Sequence, residues 1–171
     1  MHALRFPVGE FQMPQQSTAA DRLQWIAEIE AVPSLLHALL AGTYPAQLEN
    51  PYRPGGWTGR QVVHHMADSH MNAYVRARLA LTEEAPVIKP YAEDRWAELV
   101  DARGSDVNAS VAILEGLHQR WGILLHALSD EEWLRTYQHP EMGAVRLDQQ
   151  TALYAWHGRH HLGHLKAALG R

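Results

Sequence analysis

Four histidines fall within eight residues near the C-terminus, at His157, His160, His161 and His164, and three more within seven residues at His64, His65 and His70. Residues four apart on a helix project side by side, so His160 pairs with His164 and His157 pairs with His161 on a neighbouring face. Two imidazoles at that spacing can grip one metal ion, and a third from another helix would leave an open position for water or substrate. The series Leu153, Trp156, His160, Gly163 and Ala167 follows the inward spacing of a bundle helix, which favours His160 and His164 as the metal-facing pair. The third ligand is expected from the other cluster, where His64 and His65 point about 100° apart and periodicity barely separates them.

The chain must supply helices to bring these clusters together. A last helix is expected from an N-cap at Asp148 to a stop near Gly170, roughly six turns. Thr58 and Gln61 form a capping-box pattern that opens a long helix to about Thr82, carrying the first histidine cluster. A first helix runs from Ser17 or Thr18 to Leu40, with Pro33 expected to bend it. A third, from about Ser105, carries Val107, Val111, Leu114, Leu117, Trp121 and Leu125 at core spacing and stops near Ser129, where Ser129 and Glu132 cap one further turn. Residues 1–16 form an extended lead-in without visible chemistry, Pro45 to Gly56 a loop, Glu84 to Gly104 a long crossover, and Tyr137 to Leu147 a short hairpin or irregular segment. Four long helices with one crossover describe an all-α four-helix bundle occupying residues 1–171 as a single domain.

Composition narrows the chemistry. The 171 residues carry a formal net charge of −4 and no Lys/Arg-rich run, so neither nucleic acid nor an anionic membrane is an expected partner. No apolar run reaches membrane-spanning length and the N-terminus has no secretory pattern, which places the protein in the cytoplasm. The absence of cysteine excludes disulfides, thiolate zinc sites and a thiol nucleophile from the chain itself. Any metal must use His, Asp or Glu.

The run YRPGGWTGRQVVHHMADSHMNAYVRARLALTE, the later WHGRHHLGHL, the IKPY turn and GLHQRW resemble the YfiT branch of the DinB-like superfamily. That pattern has a histidine before an apolar-Ala-Asp step and a His-x-x-x-His on the last helix. The resemblance maps these onto His65, His160 and His164 and implies a DinB-like four-helix bundle, one zinc or nickel ion per chain and a homodimer. It also implies a metal-dependent hydrolase acting on a small-molecule substrate. Two alternatives stand beside it: an S-transferase using a low-molecular-weight thiol such as bacillithiol, and a non-enzymatic metal-binding module. Asp68, one turn beyond His65, and His64 are expected to assist the metal site from behind its ligands, by orienting an imidazole or moving a proton. Trp57, Trp121 and Trp156 are expected in the core.

Overall fold

The computed structural model describes residues 2–171; Met1 lies outside them. Among the described residues the helices are α1 (His2–Arg5), α2 (Ala19–Leu40), α3 (Gly59–Thr82), α4 (Glu93–Trp96), α5 (Val100–Gly104), α6 (Val107–His126), α7 (Asp130–Trp133) and α8 (Leu147–Ala168). A 3-10 turn at Pro45–Glu49 and a hairpin of β1 (Thr136–His139) and β2 (Gly143–Arg146) complete the regular structure. The four long helices form a bundle in which α2 packs on α6 and α8, and α3 packs on the same two. None is long and apolar enough to cross a membrane.

The predicted starts hold where a side chain caps a free amide. Thr58 and Gln61 satisfy each other's backbone donors at the head of α3, Ser129 and Glu132 do so at α7, and Thr18 with Asp21 at α2. The last helix starts earlier than expected. Its cap is Arg146, and Asp148 sits inside the first turn, buried, where its carboxylate accepts from Ser17 Oγ at 2.8 Å and from Arg146 Nε at 2.9 Å. The expected hairpin is real and antiparallel, pairing Tyr137 with Val145, and its β1 backbone also holds the crossover through Ile88 N–H to Gln138 O at 3.0 Å.

Two expectations need correction. Residues 1–16 are not simply extended, since His2–Arg5 is helical, and the segment after it lies across α8, held by Trp156 Nε1–H to Gly9 O at 3.0 Å. Pro7 approaches so closely that a side chain at Gly163 would meet it at 2.7 Å and push that segment away. The second correction concerns which face of α8 is inward. The buried stripe is Thr151, Ala155, Gly158, Leu162 and Leu165, not the series through Trp156 and His160. Gly158 marks the closest approach to α2, where an added Cβ would lie 2.6 Å from Val32. Trp156 turns instead toward the N-terminal segment, with Phe11 at 5.8 Å, and only Trp121 of the three tryptophans is fully buried.

Candidate metal centre

The stripe through Gly158 directs the flanking histidines of α8 to two different neighbours. His157 and His161 face α3, and there they meet His65: the Nε2 atoms of His65 and His157 lie 3.2 Å apart, and one ligand atom from each of His65, His157 and His161 lies within 4.8 Å of the others. His160 and His164 face the N-terminal segment and the loop before α3. His164 stacks on Tyr52 with ring centroids 3.8 Å apart, and His160 stacks on Trp156 at 4.3 Å. The trio expected from the sequence, His65 with His160 and His164, does not close to that distance; the latter two converge only with His161, as a second group that shares it.

These imidazoles line one wall of an open cavity of about 470 Å³. Trp57 forms another, its ring 4.6 Å from that of His65, while Arg5, Phe6 and Arg53 stand at the rim. A second cavity of about 540 Å³ adjoins across His157 and the crossover residues Glu93 and Asp94, which line both, and it carries Arg76, Tyr91 and His139 on its far side. Arg5, Arg53 and Glu93 escaped the sequence analysis because they sit in the lead-in, a loop and the crossover, where no periodicity exposes a shared direction.

Burial makes the cluster neutral. His65 is pushed down to about 4 by burial and then by the nearby His160 and His164 imidazoles. Burial, followed by neighbouring imidazoles, holds His157 and His161 well below the ordinary value. Neutral imidazoles have a free nitrogen lone pair, which is the state a metal ion requires. The spacing also fits: two nitrogens each about 2.0–2.1 Å from a tetrahedral ion stand roughly 3.3 Å apart, against 3.2 Å between His65 and His157. The donor set is all nitrogen and the cavity keeps one side open, as a catalytic rather than a structural zinc site does.

His64 and Asp68 lie elsewhere. His64 turns from the cavity toward α6, its Nδ1 2.8 Å from Ser110 Oγ and its Nε2 3.3 Å from Ser105 O. Asp68 lines neither cavity; it is half-buried, and burial together with the Asp101 charge lifts its carboxyl to about 6. Because the folded value exceeds the unfolded one, the ionised form opposes folding, a penalty that grows above the unfolded value and is complete above about 6. Asp68→Asn should therefore raise Tm at pH 7.5 by on the order of a few degrees, given about 2–4 °C per kcal/mol at this length and a penalty reduced by solvent screening. The gain should shrink toward pH 5. A thermal melt showing no gain at pH 7.5, or one that grows with acid, would contradict this placement.

The same arrangement of helices recurs in known proteins. YfiT from Bacillus subtilis, described as "a probable metal-dependent hydrolase with an unusual four-helix bundle topology", superposes with a TM-score of 0.93 at 42% identity over 98% of each chain. The four-helix bundle protein TT2238 shares the fold at a TM-score of 0.57 and 24% identity, covering 85% of this chain and 98% of its own. A protein of Oceanobacillus iheyensis named "putative metal-dependent hydrolase" is 47% identical over 167 residues, 98% of this chain and 96% of its own. One of Bacillus cereus with the same name is 48% identical over 165 residues, 96% and 95% of the two chains. The profile of the DinB superfamily matches residues 28–165, from the middle of α2 to the last turns of α8 and so across all four long helices. With the bundle and its histidine-lined cavity included in that match, the chain belongs to the DinB superfamily.

Proposed function

We propose that the protein is a metal-dependent hydrolase in which His65, His157 and His161 hold one divalent ion, zinc or nickel. The observation that carries this reading is the 3.2 Å approach of two Nε2 atoms, one from buried His65 and one from half-buried His157, on the wall of an open cavity. Without an ion or a shared proton, two lone pairs at that distance repel. His164 has a different role. Its Nε2–H donates to Arg5 O at 3.1 Å, leaving Nδ1 to accept the Nδ1–H of His161 at 3.3 Å. His161 is thereby left with its Nε2 lone pair, and His164 orients a ligand instead of serving as one.

When bound, a divalent ion with three neutral ligands and an open position supplies Lewis acidity that activates water and polarises a substrate carbonyl. The chain supplies the rest. Trp57 flanks His65 and Tyr52 covers His164, and both limit the approach of bulk water, while Arg53 and Arg5 at the rim offer donors to an anionic group of the substrate. Glu93 is the cavity carboxylate suited to accept and return a proton, since burial and then the Asp94 charge raise its affinity for one.

Turnover of a panel of activated esters and amides by the zinc-loaded protein should need no added thiol and should fall to background in His157→Ala. Turnover seen only with bacillithiol or another small thiol, with no hydrolysis across the panel, would instead establish S-transfer at this centre.

A further inference from the structure

The outermost member of the histidine cluster is tied to a defect in α2. Within an α-helix the carbonyl of residue 29 would accept the amide proton of residue 33, but that residue is Pro33, which has none. The freed, buried carbonyl of Ile29 is met by His118 Nδ1 from α6 at 2.6 Å. His118 Nε2 lies 2.8 Å from His70 Nδ1 on α3, with the two ring planes within 12°, and His70 Nε2 lies 3.1 Å from His157 Nδ1 on α8. One residue from each long helix thus joins an unbroken line from a backbone oxygen to the cavity.

The direction of this line follows from its end. A carbonyl oxygen only accepts, so His118 carries its proton on Nδ1 and presents a lone pair at Nε2. That lone pair takes the Nδ1–H of His70, whose Nε2 then takes the Nδ1–H of His157. A neutral imidazole has one proton to place, so the carbonyl at one end sets the proton of every ring along the line. His157 is left with its lone pair on Nε2, the atom facing His65.

We propose that His70 and His118 are positioning residues for the metal: the imidazole chain anchored on the Ile29 carbonyl fixes the tautomer and the ring orientation of His157 so that its Nε2 is ready to bind. This rests on the reading that His157 is a ligand. Histidine ligands held from behind in this way lose about 10–100-fold in metal affinity when the support is removed.

Zinc competition against a chromophoric chelator is the direct test. His118→Phe removes both donor and acceptor and should weaken zinc binding by about 10–100-fold, whereas His118→Gln, whose amide can donate to Ile29 O and accept from His70, should restore most of it. A general packing defect would not be rescued by the polar variant. Wild-type affinity in folded His118→Phe, alongside loss of zinc in His157→Ala, would overturn the relay and leave the ligand assignment standing. Zinc retained in His157→Ala would remove the ground for both. A third readout needs no variant: two-bond ¹H–¹⁵N correlation spectra of the zinc-loaded protein should show Nδ1–H on His70, His118 and His157. A proton on Nε2 of either His70 or His118 would overturn the proposal.

Discussion

Stripped of metal, the protein is expected to unfold steeply as pH falls from about 6.5 toward 4. Burial depresses His65, His118 and His160 to about 4 and holds His70, His157 and His161 well below the ordinary value, so in this range the unfolded chain binds protons that the folded one refuses. For a folded value below the unfolded one, stability is intact above about 6.5 and is lost as the unfolded form becomes charged. Each such group contributes about 1.36 kcal/mol per pH unit, and three acting independently give about 4 kcal/mol per unit, against a total stability of roughly 5–15 kcal/mol. Near-UV circular dichroism should report the transition, and bound zinc should shift it to lower pH because ligand protons compete with the ion. Native signal retained to pH 4 in the metal-free protein would contradict the burial and neutrality of the cluster.

The second large effect concerns affinity. Structural zinc contributes roughly 10–16 kcal/mol in small four-ligand sites, or about 2.5–4 kcal/mol per ligand, which is roughly 70- to 900-fold in dissociation constant. Replacing His65, His157 or His161 with Ala should weaken zinc binding by about that factor. His160→Ala should change it little, since His160 stacks on Trp156 with Phe6 beside it and its Nδ1 is buried without a partner. His164→Ala should fall between, as loss of an orienting partner does. A chelator titration placing His160→Ala with the weak binders and His157→Ala with the wild type would reverse the assignment.

The pattern of agreement with the sequence has a physical origin. Local signals read well: the Thr58–Gln61 box set the start of α3, and the 3.6-residue spacing from Val107 to Leu125 marked α6. The rotation of α8 did not. Its four histidines span little more than two turns, and turning the inward direction by about 60° exchanges one His-x-x-x-His pair for the other. An indole at core spacing reads as core, but the Trp156 ring covers the cavity side and its Nε1–H donates to Gly9 O. The lead-in that receives it showed no period, so its role in holding His164 through Arg5 O was invisible. Pro33 was legible as a missing amide donor four residues after Ile29, but not which donor would reach the carbonyl it frees. His118 stands 89 residues away in sequence, and only the packing of α6 against α2 brings them together.

The metal centre itself is most directly tested by X-ray absorption at the zinc edge, comparing the wild type with His160→Ala. The expected result is three imidazole nitrogens at about 2.0–2.1 Å in both proteins, with one imidazole lost from the spectrum of His157→Ala loaded at high zinc. A spectrum of His160→Ala that has lost an imidazole, beside an unchanged one for His157→Ala, would contradict the assignment of His65, His157 and His161.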